Sequence, residues 1–119
     1  MLTSPKPVVW MADTLTVLRE FPEAVREEIG YARYLVQVGG KHPNSKPLRG
    51  FGSGVLEVVS DHQGETFRAV YTVRLAGKIY VLHVFQKKSK KGLATPKSDL
   101  ELIRQRRQRA MELHASQES

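Results

Sequence analysis

A hairpin signal in the second half of the chain most constrains the fold. Residues 66–75 (TFRAVYTVRL) alternate apolar and polar side chains, and a second β-rich run, KIYVLHVFQ at 78–86, follows after Ala76 and Gly77. Two such runs joined by two turn-forming residues are expected to pair as a β-hairpin. A third run, VLEVV at 55–59, precedes the turn sequence DHQG and extends the hairpin to an antiparallel meander.

The turn length predicts a register for the hairpin. A two-residue turn pairs Val73 with Tyr80, and continuing the count pairs Val70 with His83 and brings Arg68 opposite Phe85. One face is then apolar and is expected to be core: Phe67, Ala69, Tyr71, Val73, Tyr80, Leu82 and Val84. The opposite face gathers Arg68, Arg74, His83 and Phe85, with Lys87 just beyond the strand end.

Helical patterns flank the meander. PVVWM at 7–11 reads as a short first strand, and two helices follow, the second with an apolar stripe at Val25, Ile29, Ala32 and Val36. A basic helix is predicted over 97–114. The order predicts an α+β domain: a small antiparallel sheet, made of the N-terminal strand and the meander, packed against two N-terminal helices and one C-terminal helix. Residues 1–119 are expected to form a single domain, with 115–119 as a frayed tail.

Positive charge is concentrated in one segment. Residues 86–109 hold nine Lys and Arg but only two acidic residues and so account for the net charge of +7, while the remainder holds ten of each sign. The nine are Lys87, Lys88, Lys90, Lys91, Lys97, Arg104, Arg106, Arg107 and Arg109. Such a concentration is typical of proteins that bind a polyanion, usually nucleic acid. Two other interpretations are a solvated, charge-rich surface and, for KKSKK alone, a nuclear localisation signal.

Several classes of chemistry are disfavoured. Cysteine is absent and the four histidines are scattered, so the sequence predicts neither disulfides nor a metal site, and no cofactor motif is present. No apolar run is long enough to span a membrane, and MLTSPKPVVWMAD lacks the features of a signal peptide, which together predict a cytoplasmic protein. Paired carboxylates and nucleophile motifs are also missing. Cations, hydroxyls and an imidazole remain, and these suit cleavage of RNA, whose 2′-hydroxyl is a built-in nucleophile.

Two residues stand out, each with a structural alternative. Arg68 lies in mid-strand, where a planar cation could bind phosphate through two nitrogens, but it could equally form an ion pair with Glu57 or Glu65. His83 has the best position of the histidines, although a lone strand histidine is more often structural than catalytic.

Three stretches of the sequence resemble one known family. KPLRGFGSGVLEV, TFRAVYTVR and IYVLHVFQKKSKKGLATPKSDLELIRQR are similar to the RelE/HigB-type toxins of bacterial toxin–antitoxin modules, particularly the phage-related branch. The resemblance implies a ribosome-associated, metal-independent endoribonuclease that cuts mRNA through 2′-hydroxyl attack and uses a basic concave face. It also implies a cognate antitoxin as partner, for which a helix-turn-helix protein is one candidate, together with mRNA and the ribosome.

The resemblance also implies roles for single residues. Arg68 matches the strand arginine that contacts the scissile phosphate, and Lys87 and Lys88 match the basic residues after the last long strand. No residue clearly matches the catalytic tyrosine or histidines of some members, so Lys90 and His83 are candidate bases. The further substrate-binding candidates are Lys46, Arg49, Arg74, Phe85 and Lys91. A non-catalytic RNA- or ribosome-binding module, or a domain that binds an acidic protein, would explain the charge as well.

Overall fold

Helices cover both faces of a five-stranded mixed sheet. The computed structural model describes residues 5–52, 54–75, 77–87 and 95–118. The strands are β1 (Val8–Trp10), β2 (Ser45–Pro47), β3 (Val55–His62), β4 (Glu65–Thr72) and β5 (Ile79–Lys87). The helices are α1 (Thr14–Arg19), α2 (Glu23–Gln37) and α3 (Lys97–Glu118). Helix α3 includes residues 115–118, for which the sequence predicts a frayed tail.

The predicted α+β class and the order of elements are confirmed. The sheet order is β1-β5-β4-β3-β2, and β3, β4 and β5 form the antiparallel meander. The sheet is nevertheless mixed rather than antiparallel, because β1 pairs with β5 in parallel. The strand β2 is not predicted. It lies in a stretch rich in Gly, Pro, Ser and Asn, and it ends at Pro47 on the sheet edge, where a missing donor does not interrupt the ladder.

One face of the sheet packs against α1 and α2. The predicted α2 stripe is confirmed, with Val25 and Ala32 fully buried. The stripe meets Phe67, Ala69 and Tyr71 of β4, and Phe21 contributes a ring 4.7 Å from that of Phe67. This first core therefore fixes the sheet against the N-terminal helices.

A β-bulge divides β5 between the two faces. The predicted pairs Arg68–Phe85 and Val70–His83 are confirmed, but Tyr71 pairs with Val81, so Leu82 is an extra residue in β5. From Leu82 back to Ile79, each side chain therefore lies on the face opposite to the one that strict alternation predicts. Tyr80 and Leu82, predicted for the first core, belong to a second core on the opposite face, and their predicted places are taken by Ile79 and Val81. The predicted pairing of Val73 with Tyr80 is wrong, since β4 ends at Thr72.

Helix α3 packs on this second face. Ile103 and Ala110 are fully buried against Val70, Leu82 and Phe85. Helix α3 therefore covers part of the sheet face on which the sequence places Arg68, His83 and Phe85. None of the helices in the described ranges combines the length with the apolar character that crossing a bilayer requires.

Candidate functional site

A diagonal row of four charged side chains crosses the sheet on the α3 face. Lys46 of β2 is the direct register partner of Glu57 on β3. Arg68 of β4 lies opposite Val59, and Lys87 of β5 lies opposite Thr66, so each is a diagonal neighbour of the preceding charge. We call Lys46, Glu57, Arg68 and Lys87 the charged row. Three cations to one carboxylate leave it with a net positive charge.

Arg68 and Glu57 form a buried ion pair at the centre of the row. Arg68 Nη1 donates to Glu57 Oε1 at 2.9 Å, with only 3% and 2% of the two side chains exposed. The second carboxylate oxygen accepts from the Thr95 hydroxyl at 2.9 Å. Of the two acidic partners that the sequence offers, Glu57 is therefore the one used. A charge this deeply buried is tolerated because the opposite charge and the hydroxyl replace its water.

Two clefts give access to the charged row from solvent. One, of about 400 Å³, is lined by Lys46, Arg49, Glu57 and Thr95 among others. The other, of about 350 Å³, has Arg68 in its wall together with Asp61. Exposed Lys46 lines both clefts and stands between them. A phosphate group could therefore approach the row at Lys46, and the sequence-predicted Lys46, Arg49 and Arg68 border the same region.

Lys87 is the end of the row and is itself buried. It is the last residue of β5, not a residue beyond the strand, and 8% of it is exposed. Burial lowers the pKa of Lys87, and the nearby Arg68 guanidinium lowers it further, while the Glu57 carboxylate acts in the opposite direction. A lowered pKa increases the fraction of neutral amine, which is the form that can accept a proton.

His83 is held between α3 and β5. Its Nε2 lies 2.7 Å from Asp99 Oδ1, and its Nδ1 lies 3.3 Å from Arg106 Nη1. Because a guanidinium only donates, Nδ1 accepts, and the ring proton resides on Nε2 and is donated to Asp99. The ring also stacks on Phe85 at 4.6 Å. Both nitrogens are thus engaged in fastening α3 to the sheet.

The remaining predicted site residues do not lie together. Arg49 lines the larger cleft, and Phe85 is buried beneath His83. Arg74 does not join Arg68, His83 and Phe85, because β4 ends before it; it lies instead beside Arg107 of α3. Lys88, Lys90 and Lys91 lie outside the described residues.

Sequence reasoning did not identify three partners of the site: Thr95, Asp99 and Arg106. Each comes from the segment before or within α3, and only the packing of α3 on the sheet brings it to β3 or β5. No short-range pattern could have signalled them. Within the described ranges, no group of His, Asp and Glu side chains has the arrangement needed to hold a metal ion.

Comparison with known proteins gives a family and a fold. The family model described as phage derived protein Gp49-like (DUF891) matches residues 16–108. A mutant of the toxin RelE from E. coli, solved in the free state, superposes with a TM-score of 0.55 at 18% identity, covering 71% of this chain and 86% of that chain. The toxin–antitoxin complex RelBE2 from Mycobacterium tuberculosis gives a TM-score of 0.48 at 16% identity, covering 73% of this chain and 97% of that chain. No match is found among curated proteins.

Proposed function

The chain belongs to the phage-derived Gp49-like family and has the RelE fold, and from this premise we propose that it is the toxin of a toxin–antitoxin module and cleaves RNA. The RelE-like fold that the sequence resemblance implies is thus confirmed, and its phage-related branch agrees with the phage-derived family. The observation that carries the catalytic proposal is the charged row itself, which two clefts reach at Lys46, Glu57 and Arg68. The lowered pKa of Lys87 supports it.

The charged row supplies the groups that this reaction needs. The neutral amine of Lys87 takes the proton of the 2′-hydroxyl, and the 2′-oxygen bonds to phosphorus. The bond to the 5′-oxygen breaks as that oxygen takes a proton from solvent, to which Lys87 later returns its own, and a 2′,3′-cyclic phosphate is left. Arg68 offsets the extra negative charge that develops on the phosphoryl oxygens. Lys46 and Arg49, both exposed at the clefts, hold the backbone on the solvent side. Lys88, Lys90 and Lys91 extend this grip in the proposal, since they follow Lys87 directly in sequence.

The proposed substrate is mRNA during translation, and the proposed partner is an antitoxin. Both follow from the resemblance to RelE/HigB-type toxins, and the net charge of +7 supports a polyanionic substrate. Translated mRNA is cytoplasmic, as the sequence predicts for the protein. An antitoxin with an acidic segment would compete with RNA for the charged row.

The test compares mRNA ends after brief expression of variants in a bacterial host. Arg68→Lys keeps a cation beside the buried Glu57 but loses the two-nitrogen fork, so the protein should fold and cleave about 10²–10³-fold more slowly. Arg68→Ala is the poorer choice, because it leaves the Glu57 carboxylate buried without its partner. Arg109→Gln removes a charge from an exposed position on α3 and serves as the control.

New 5′ ends inside translated frames, present with the wild type and Arg109→Gln and strongly reduced with Arg68→Lys, are the expected result. Equal cleavage by all three proteins would remove Arg68 from the site. No new ends from folded wild-type protein would remove the ribonuclease proposal itself.

One observation favours a second candidate function, a non-catalytic RNA- or ribosome-binding module. The Arg68 guanidinium is 3% exposed and already paired with Glu57, and His83 uses both ring nitrogens to hold α3. In this alternative the buried charges are structural and only exposed cations such as Lys46 bind RNA. The wild-type protein would then protect RNA or ribosomes without forming any product.

A further inference from the structure

A line of residues on one flank of α3 continues from the larger cleft to a second basic pocket. Leu100, Arg104, Arg107 and Met111 are spaced by four, three and four residues, so they lie on one side of the helix. Leu100 lines the cleft next to Lys46 and Arg49, whereas Arg107 and Met111 line a pocket of about 380 Å³. At 1.5 Å per residue, the two ends of this line are roughly 16 Å apart.

The second pocket, which we call the arginine pocket, is formed by the end of β4 and by α3. Its described lining contains two arginines and no carboxylate: Gly54, Thr72, Arg74, Leu75, Arg107 and Met111. Within the described ranges, no carboxylate lies within ion-pair distance of Arg104 or Arg107 either. The neighbouring Arg106 and Arg109, by contrast, pair with Asp13 and Glu112. Arg107 therefore presents to the pocket a guanidinium group that no carboxylate of the described residues neutralises.

The glycine-rich loop 49–54 shapes the arginine pocket. Gly50 (φ 91°) and Gly52 (φ 68°) adopt left-handed backbone conformations that turn Phe51 under α3. The Cζ atoms of Arg104 and Arg107 lie 5.4 and 6.0 Å from the centre of the Phe51 ring, within cation–π range. The loop therefore positions two guanidinium groups along the flank.

Gly54 lies against the third arginine. A Cβ atom at this position would lie 3.2 Å from Arg74 Cγ, so a larger residue would require the Arg74 stem to move by a few tenths of an ångström. The sequence RGFGSG has no dinucleotide- or nucleotide-binding spacing. Its glycines instead place Phe51 below one pair of arginines and make room for Arg74 beside the pocket.

We propose that the arginine pocket binds a backbone phosphate of RNA, about 16 Å along the strand from the cleft at Lys46. This inference rests on the proposed function, because it takes RNA as the ligand. Planar guanidinium groups bind phosphate oxygens through two nitrogens, and Arg74 and Arg107 line one pocket, where a single phosphate can contact both. Continuity with the cleft favours an extended RNA strand over an acidic protein, since one chain of evenly spaced phosphates can occupy both sites. Arg104, between them, would contact the strand on the way.

Binding should be measured with a fluorescent RNA oligonucleotide whose 2′-hydroxyls are methylated, since this probe lacks the nucleophile and cannot be cut. Affinity is determined over a series of salt concentrations for the wild type, Arg74→Gln, Arg107→Gln and Arg109→Gln. Glutamine keeps the aliphatic stem that packs against Gly54 or Phe51. Arg109 is the matched control because it lies on the opposite side of the same helix and is exposed. Cleavage of unmodified RNA is measured separately for each protein.

The slope of log K against log salt should become shallower by about 0.7 for Arg74→Gln and for Arg107→Gln, because each loses one phosphate contact. The Arg109→Gln slope should match that of the wild type. If Arg107→Gln and Arg109→Gln have the same salt slope while the wild type still cleaves RNA, the proposal that the arginine pocket binds RNA is overturned. The ribonuclease proposal is then unaffected. If Arg107→Gln weakens antitoxin binding but leaves the RNA slope unchanged, the pocket serves an acidic protein and the inference is likewise overturned. A shallower slope for Arg107→Gln without cleavage by any variant would support the pocket and remove the ribonuclease.

Discussion

The burial of Lys87 affects both the folding free energy and the proposed reaction. Only 8% of the residue is exposed at the end of β5, and the Arg68 guanidinium is near its amine. Both influences disfavour the ammonium form, so the pKa of Lys87 is lowered from its ordinary value. The shift costs folding free energy, and in the proposed mechanism it increases the fraction of neutral amine that can accept a proton.

The stability of the protein should therefore rise with pH in the alkaline range. Since the pKa of Lys87 is lower folded than unfolded, the folded state binds fewer protons between the two values, and the free energy of unfolding increases as pH rises toward about 10.5. Below the folded pKa the full penalty of the buried ammonium remains. Urea unfolding of the wild type and Lys87→Met at pH 7, 8.5 and 9.5 measures this gain, which the variant should lack.

The comparison should stop below pH 10 because Tyr71 acts in the opposite sense. Burial raises the pKa of its hydroxyl, an effect that Ser45 partly opposes, so stability contributed by the neutral phenol is lost above the unfolded pKa. Equal pH dependence of the wild type and Lys87→Met within the lower range would show that the amine is hydrated in solution.

Between elements, the Arg68–Glu57 pair joins β4 to β3 beneath α3. Glu57→Gln should destabilise the protein by about 3–5 kcal/mol, because Arg68 keeps its charge in a site that has lost its counter-ion. Replacing both, in Glu57→Leu/Arg68→Met, removes both desolvation penalties and should be clearly less destabilising than either single change. Urea unfolding of Glu57→Leu, Arg68→Met and the double variant at pH 7 gives the coupling energy. If the unfolding free energies lost in the two single variants add up to the loss in the double variant, Arg68 and Glu57 do not stabilise the protein as a pair.

The limits of sequence prediction appear at the same elements. The register Arg68–Phe85 follows from turn length and alternation, and both are local properties. The extra residue at Leu82 is not predictable from them, since LHVF continues the apolar run without a glycine or other signal, and one inserted residue transfers Tyr80 to the other core.

The candidate site, too, could be predicted from the sequence only in part. Arg68 and its acidic partner could be anticipated because both lie in strands, whereas the contacts of Glu57 with Thr95 and of His83 with Asp99 depend on how α3 packs across the sheet. Long-range packing of a mostly polar helix leaves little periodic signal, and the burial of the site could not be predicted for that reason.

Over the whole molecule, the net charge of +7 makes stability depend on salt and on the partner. All of it arises in residues 86–109, and in the free protein these cations repel one another. Added salt screens this repulsion, so the melting temperature of the free protein should rise between 50 and 500 mM sodium chloride.

Saturating 2′-O-methylated RNA should stabilise the protein at low salt, by about 2.7 kcal/mol at a hundredfold excess over Kd, and this gain should disappear as salt weakens binding. Thermal melting with and without RNA should thus give two curves that converge as salt increases. Parallel curves would mean that RNA binding does not depend on the positive charge of the protein.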